Sequence, residues 1–278
     1  MDPRGVGARA LGCLVAPVSA FVELMLPEEC AACGATSGHA EWEPGGVRVA
    51  GLRPWDRPHL CCACAGGLFA EPCTRMLDAD GCERLTIRAA SPTSARLTRV
   101  VGTWKYHGVR GLAWPFARAL AAAAHTDSLA SGATAEPAPG SPPTLVAVPL
   151  HARRQRARGF NQAQMLAELA APLLGLEVLR DALVRTRVTA QQARLTDAAA
   201  RRQNLDGAFA ASAPRADRRR ALLVDDLVTA GATARAAAAA LRAAGWEVSG
   251  VLALGLALAR ADGDDAGDAD PTGGLFQP

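Results

Sequence analysis

The chain contains one lysine, Lys105, so the remaining 29 of its 30 Lys+Arg residues are arginines. A phosphate loop of the G-x-x-x-x-G-K-[ST] type needs its lysine directly after the second glycine. Lys105 sits in Thr103-Trp104-Lys105-Tyr106, without that glycine spacing, and this class of nucleotide site is excluded. Aromatic residues are scarce, at 4%, and there is one isoleucine, Ile87. A core must therefore be built mainly from Ala, Leu and Val. No run of 18 apolar residues occurs, which leaves no clear membrane span. A formal G-x-G-x-x-A match at Gly5, Gly7 and Ala10 has too little chain before it for the strand that a dinucleotide fingerprint requires.

What is present fits one large domain or two modest ones. The chain has 278 residues, half of them hydrophobic and 21% charged. The formal charge of +3 is too mild to declare a nucleic-acid binder by itself. Near the N-terminus, Arg4 and Arg9 precede an apolar stretch from Leu11 to Phe21 that mimics a signal peptide. Leu11, Leu14, Val15, Val18, Val22 and Met25 fall at helical spacing and Glu23 interrupts the run, so an amphipathic helix over 1–26 is the favoured reading.

Of eight cysteines, four form two close pairs, Cys30-x-x-Cys33 and Cys61-x-x-Cys64. Two such pairs supply four thiolates in a tetrahedron, the usual geometry of structural zinc, with Gly34 placed for a knuckle turn. Ordinary buried thiols or disulfides are the alternative. Cys62 sits inside the second pair as a competing ligand, while Cys13, Cys73 and Cys82 have no CxxC partner. A zinc site suits a reducing cytoplasm, the compartment expected here.

Along the chain, residues 27–85 read as a zinc-ribbon-like module of loops and short strands. Leu85 to Ala90 reads as a short strand, Leu97 to Tyr106 as another element, and Leu112 to Ala124 as an Ala-rich helix. In Trp104-Lys105-Tyr106-His107-Gly108, a core strand edge competes with a stacking surface. Residues 126–143, dominated by Ala, Pro, Ser and Gly, read as a flexible insertion. An α/β pattern follows. Thr144 to Val148 is an apolar strand ended by Pro149, Asn161 to Leu174 is a helix with Ala163, Leu166, Ala170 and Leu173 on one face, and Leu176 to Leu179 is a short strand. Ala221 to Val224 is a second buried strand. Thr233 to Ala244 is a helix stopped by Gly245, and Val248 to Leu258 is a third strand. Such spacing implies a parallel sheet with right-handed crossovers. The acidic tail from Ala261 onward reads as disordered.

The segment from Leu222 to Thr233 carries the chemistry. An apolar strand delivers Asp225 and Asp226 at its C-terminal end, where ligands bind in open α/β sheets. The turn Thr229-Ala230-Gly231-Ala232-Thr233 then opens a helix whose free N–H groups and positive dipole end favour a phosphate. Thr229 and Thr233 add hydroxyls, and Gly231 permits close backbone approach. Carboxylates beside a phosphate cradle make sense if one ligand lays sugar hydroxyls over the acids and a 5′-phosphate in the turn. A Walker-B-like strand lacks its P-loop, and a response-regulator acid cluster lacks its lysine, Lys105 being far upstream.

This segment resembles the 5-phosphoribosyl-1-pyrophosphate (PRPP) motif of type I phosphoribosyltransferases. Val148-Pro149-Leu150-His151-x-x-Arg154-x-Arg156-x-Arg158-Gly159-Phe160-Asn161-Gln162-Ala163 is similar to the hallmark of their ComF (competence protein F) branch. Further likeness lies in Arg185-Thr186-Arg187, Gln192-x-x-Leu195, Arg201, Arg202, Asn204, Gly207 and Phe209, and in the leading helix and CxxC pairs. The resemblance implies a phosphoribosyltransferase-like parallel sheet over 86–262, a helix and zinc-ribbon module over 1–85 and a tail over 263–278. By resemblance, Asp225 and Asp226 bind the ribose hydroxyls and Thr229, Ala230, Gly231, Ala232 and Thr233 the 5′-phosphate. Leu150, His151 and Arg154 form the pyrophosphate loop, and Cys30, Cys33, Cys61 and Cys64 hold Zn²⁺. Mg²⁺ would accompany PRPP. Ala230 replaces a threonine of the common T-T-G turn, which removes one hydroxyl. An Asp, typical of 6-oxopurine enzymes, is absent at Thr229.

Two functions follow as expectations. One is pentosyl transfer from PRPP with pyrophosphate release to an unidentified acceptor, in the setting of DNA uptake. The other is a non-catalytic PRPP sensor that binds single-stranded DNA beside a DNA-uptake helicase. Arg153, Arg154, Arg156 and Arg158, then Arg201 and Arg202, then Arg215, Arg218, Arg219 and Arg220 are the clusters that would neutralise pyrophosphate or track a DNA backbone. Trp104, Tyr106 and Phe160 are the aromatics available for base stacking. A solvated surface is the plain alternative, above all for the 215–220 cluster.

Overall fold

The computed structural model describes residues 29–35, 60–79, 82–130, 142–186, 207–215 and 219–258. The helix expected over 1–26, Cys13, the span from Gln192 to Asn204, Arg218 and the acidic tail lie outside the described residues.

In chain order the elements are α1 (Cys62–Leu68), β1 (Cys73–Ala79), β2 (Cys82–Pro92), α2 (Ala95–Tyr106), a 3₁₀ turn (Arg110–Leu112) and α3 (Ala113–Ala130). Then come β3 (Thr144–Ala147), α4 (Ala152–Arg158), α5 (Gln162–Leu174), β4 (Leu183–Arg185) and β5 (Phe209–Ala211). The chain continues through β6 (Arg220–Val228), α6 (Ala232–Ala243) and β7 (Glu247–Leu256). Five strands form one sheet in the order β1-β2-β7-β6-β3. Pairings β2–β7, β7–β6 and β6–β3 are parallel, and β1 closes one edge antiparallel to β2. β4 and β5 make a separate antiparallel pair. The expected α/β architecture is the observed one, a mostly parallel sheet flanked by helices, with a Cys-rich cluster N-terminal to it.

The apolar strands are buried on both faces, and alternation along each decides which layer a side chain enters. Leu145 and Ala147, Leu222 and Val224, and Leu252 and Leu254 pack with α1, α2, α3 and α5. Val146 and Val148, Ala221 and Leu223, and Val251 and Ala253 pack with α6, Trp246 and the β4–β5 pair. With few aromatics, the first layer is centred on Trp104, Phe116 and Phe160, whose rings meet at centroid distances of 5.2 and 5.9 Å from Trp104.

Several elements depart from the sequence expectation. The segment 97–106 is helical. Leu97, Val100, Val101 and Trp104 recur at helical spacing and are all buried, and Ser94 caps the start by accepting from the Leu97 N–H at 3.1 Å. Trp104-Lys105-Tyr106 is therefore a helix end, with no strand edge there. The helix expected to end near Ala124 continues to Ala130, into the stretch expected to be irregular. Leu176 to Leu179 contributes only an isolated parallel bridge, Val178 to Leu145. Leu173, expected on the buried face of α5, is 51% exposed. Arg220 lies inside β6, where it pairs with Glu247 at 3.2 Å instead of occupying a solvated loop.

Candidate functional site

β3 stops pairing with β6 at Ala147, opposite Val224, and Pro149 cannot continue the ladder. β6 runs on to Val228. A crevice opens beside its freed edge, at the carboxyl end of the strands. The cavity there has a volume of about 490 Å³ and is lined by Asp225, Asp226, Thr229, Ala230, Ala232, Thr233, Leu150 and Arg154 among others. Most of the expected site residues therefore meet in one place. Two do not line it. Gly231 forms the floor of the turn, and His151 caps α4, its Nδ1 accepting from the Arg153 N–H at 3.1 Å.

The two aspartates belong to opposite layers. By strand parity Asp226 follows Leu222 and Val224 toward α2, while Asp225 follows Ala221 and Leu223 toward the β4–β5 pair. Each meets a cation from its own side. Lys105, at the C-terminal end of α2, places Nζ 2.7 Å from Asp226 Oδ2, with both side chains about one-sixth exposed. Arg185, the last residue of β4, faces Asp225 across the cavity. Each carboxylate also accepts a neighbouring backbone N–H, Asp225 Oδ1 from Asp226 at 2.8 Å and Asp226 Oδ1 from Leu227 at 2.6 Å. Burial, then the Asp226 charge, push the Asp225 carboxyl up to about 7 against the pull of the Asp226 N–H, Lys105 and Arg185. Burial and then Arg154 hold the Arg185 guanidinium below its ordinary value.

The phosphate-type turn is held from outside. Gly231 has φ +76° and caps α6, a conformation that side-chain-bearing residues rarely adopt. A Cβ there would stand 2.2 Å from Leu77 Cδ1, so β1 packs directly on the turn. Arg75, also from β1, donates to the Thr229 carbonyl at 2.5 Å and to the Ala257 carbonyl at 2.7 Å. Arg235 donates to the Ala230 carbonyl at 2.8 Å. These bonds take up carbonyls of the turn and bring two guanidinium charges to it, which favours an anion.

Among the loop arginines, α4 sorts the cluster. Arg154 and Arg158, four residues apart, share the helix face on the cavity, whereas Arg153 and Arg156 are exposed away from it. Arg158 donates to Gln162 Oε1 at 2.7 Å. Gln162 is 1% exposed, lines the cavity and has no partner for Nε2. Of the stacking candidates, Trp104 and Phe160 are buried and unavailable, while Tyr106 is 71% exposed.

Lys105 was set aside in the sequence because it stands far upstream of the acids, yet it is their nearest cation. The one usable signal was its place one residue after Trp104 at a helix end; the tertiary approach itself leaves no trace in local spacing. Gln162 and Arg75 were equally unassigned.

The second site is a thiol cluster. The Sγ atoms of Cys30, Cys33, Cys61 and Cys64 all lie within 4.8 Å of one another, a donor set that could hold a metal ion such as zinc. Gly34, at φ +73°, closes the knuckle by donating to the Cys30 carbonyl at 2.8 Å. The Cys61 N–H points at Cys30 Sγ at 3.4 Å, and Arg96 Nη2 donates to Cys64 Sγ at 2.9 Å. Burial raises the Cys30 thiol, yet the N–H groups of Cys61, Ala32 and Cys33 outweigh it and bring the group down to about 6. Burial, then the neighbouring thiols, push Cys64 up to about 12. Four thiols sharing too little positive charge fit a bound cation well. Cys62 begins α1, is exposed and stands outside the set.

Among the described residues no helix is long and apolar enough to cross a membrane. No family model matches the chain. Curated relatives do. The chain is 40% identical over 92 residues to a DNA utilization protein, YhgH, of Escherichia coli, covering 33% of this chain and 40% of that protein. It is 36% identical over 108 residues to Competence protein F of Haemophilus influenzae, covering 38% of this chain and 47% of that protein. The chain thus spans less than half the length of the curated relatives it matches, and the expected likeness to competence protein F is met by relatives that carry the names Competence protein F and DNA utilization protein YhgH.

Proposed function

We propose that the protein binds PRPP in the crevice at the end of β6 and acts in DNA uptake. The observation that carries this reading is the convergence of the acid pair, the Gly231 turn and four cations (Lys105, Arg154, Arg158 and Arg185) on one cavity of about 490 Å³. The ribose hydroxyls lie against Asp225 and Asp226, and the 5′-phosphate sits on the N–H groups opening α6, beside Thr229 and Thr233. Arg154 and Arg185 face the pyrophosphate. Charge neutralisation of the leaving pyrophosphate is what a PRPP-borne Mg²⁺ supplies when bound. Pentosyl transfer then proceeds by attack of an acceptor on C1 as pyrophosphate departs, with positioning and cationic stabilisation as the chain's contribution. The setting in DNA uptake is carried over from relatives named for competence and DNA utilization. The thiol cluster holds a structural zinc in this reading.

One feature favours the sensing alternative: among the described residues, and apart from the acid pair, the cavity lining offers no carboxylate or histidine to act as a general base. Calorimetric titration with PRPP and Mg²⁺ separates the cases in order. Wild type is expected to bind, and Asp225→Ala/Asp226→Ala to lose at least a hundredfold in affinity; equal heats in both discard the site. Pyrophosphate release in the presence of acceptor then distinguishes an enzyme from a sensor.

A further inference from the structure

The turn that opens α6 has its carbonyls occupied from behind. Arg75 of β1 bridges two of them, donating from Nη2 to Thr229 at 2.5 Å and from Nη1 to Ala257 at 2.7 Å. Arg235 donates from Nη2 to the Ala230 carbonyl at 2.8 Å, and its backbone N–H donates to the Gly231 carbonyl at 2.9 Å. Three consecutive carbonyls, those of Thr229, Ala230 and Gly231, are therefore taken. Each shares one rigid conjugated plane with the N–H of the next residue, so the N–H groups concerned belong to Ala230, Gly231 and Ala232. A cation on the carbonyl side polarises that plane and strengthens its N–H as a donor. Ala230 and Ala232 line the cavity. The same cavity is lined by Gln162, which is 1% exposed and has no partner for Nε2 among the described residues, an independent mark of a site built for an acceptor-bearing ligand. The two guanidinium groups also repel one another. Burial, then the Arg235 charge, hold the Arg75 group below its ordinary value, and an anion beyond the turn would offset that repulsion.

Resting on the PRPP reading above, we infer that Arg75 is a positioning residue for the 5′-phosphate: together with Arg235 it fixes and polarises the peptides of the turn from behind, without touching the ligand. The device reaches the turn from outside the strand, turn and helix that form it. Arg75 stands 154 positions before Thr229, on the strand that follows α1 and the thiol cluster. Alternate residues of a strand share a face, so Arg75 and Leu77 press on the turn together. Leu77 fills the space a Cβ on Gly231 would need, and Arg75 fixes the carbonyl two residues before that glycine. Met76, between them, faces the other way and is 52% exposed. Because the guanidinium acts through the backbone of one turn, its effect belongs to the phosphate end of the ligand. The pyrophosphate end, opposite Arg154 and Arg185, does not depend on it.

The test is calorimetric titration of the full chain with ribose 5-phosphate and, separately, with pyrophosphate and Mg²⁺. Arg75→Gln should weaken ribose 5-phosphate by about tenfold or more and leave pyrophosphate within about twofold of wild type. Arg75→Lys keeps a cation but lacks the fork that spans two carbonyls, and should recover part of the loss. Arg235→Gln should give the same split on a smaller scale, and it carries the test if Arg75→Gln does not fold. Met76→Gln, on the opposite face of β1, should bind both ligands as wild type does. In nuclear magnetic resonance spectra the Ala230 and Gly231 amide protons should move downfield with ribose 5-phosphate, and by less in Arg75→Lys at saturation, a change that loss of packing alone does not produce. Equal loss of both ligands in the glutamine variants overturns the inference by making the arginines plain structural staples. Unchanged binding of ribose 5-phosphate in both overturns it as well. If wild type takes ribose 5-phosphate with this dependence on Arg75 but does not take PRPP, the PRPP reading falls and the role of Arg75 stands. If PRPP binds and ribose 5-phosphate ignores Arg75, the PRPP reading stands and this inference falls. Failure of wild type to bind any of the three overturns both.

Discussion

The thiol cluster and the aspartate crevice both crowd like charges together, and they relieve the crowding by opposite means. In the thiol cluster all four groups come from two local pairs, and the guanidinium of Arg96 donates to one of them, Cys64. A metal ion held by the four thiolates would supply more. In the crevice the acids are adjacent in sequence, and the protein brings its own cations from two layers: Lys105 for Asp226 and Arg185 for Asp225. The first site offers a donor set for a metal ion, while the second sets cations of the chain itself against its acids. The contrast predicts that stripping metal damages structure, whereas altering the crevice damages binding.

The largest effect should follow removal of the metal. Structural zinc contributes on the order of 10 kcal/mol to small metal-dependent modules. Cys30 and Cys64 belong to the same core cluster as Leu60, Leu68 and α2, so loss of the ion should loosen that layer as well. Metal analysis is expected to give one zinc per chain, and Cys30→Ser/Cys64→Ser none, with a fall in melting temperature that chelation of wild type reproduces. Cys62→Ser, at an exposed thiol outside the cluster, should leave both values unchanged. A zinc content near zero in wild type would break the comparison at its first term.

The next effect is at Lys105. Both partners of the Lys105–Asp226 pair are largely buried, so removing one leaves an uncompensated charge at a cost of about 2 kcal/mol. Lys105→Met should lower stability by about that amount at neutral pH and weaken PRPP about tenfold. Lys105→Arg should restore much of the stability because it keeps the charge. Denaturant unfolding and calorimetry read the two quantities separately. An unchanged Lys105→Met would mean that the acids are screened by solvent and that the crevice has no internal counter-charge.

How much of this was legible in the sequence depended on how local the cause was. The zinc-type ligands were readable because their spacing is set by a four-residue turn around Gly34 and by the start of α1. The acid pair and Gly231 turn were readable because a buried apolar strand and a helix start leave local marks. The strands β3 and β7 were close to their observed bounds for the same reason, whereas β6, read as ending at Val224, runs on through both aspartates to Val228. The end of α2 was misread because Trp104 and Tyr106 are good strand formers, and tertiary packing of Trp104 against Phe116 and Phe160 overrode that propensity. Lys105 was missed as a consequence. A residue on a helix end can meet a strand far along the chain, and only the layer parity of Asp226 decides that it does.

The smallest effect concerns proton uptake by Asp225, and it sharpens the comparison because it tests whether the crevice is truly short of solvent. Asp225 in the folded chain keeps its proton up to about pH 7, against an ordinary value of 3.8. Between those limits the folded state holds more protons than the unfolded one, so stability falls as pH rises through the window, by at most ~1.4 kcal/mol per pH unit. Below about 4 both states are protonated and the slope from this group vanishes; above about 7 both are ionised and it vanishes again. Asp225→Asn should flatten the decline and gain stability at neutral pH, since it removes a buried charge beside Asp226 while nearly preserving shape. Bound ligand hydroxyls or cations would favour the ionised form, so PRPP with Mg²⁺ should release close to one proton on binding near pH 6. Titration in two buffers of different ionisation enthalpy measures that release directly, and a value of zero would mean that Asp225 is already ionised in the free protein.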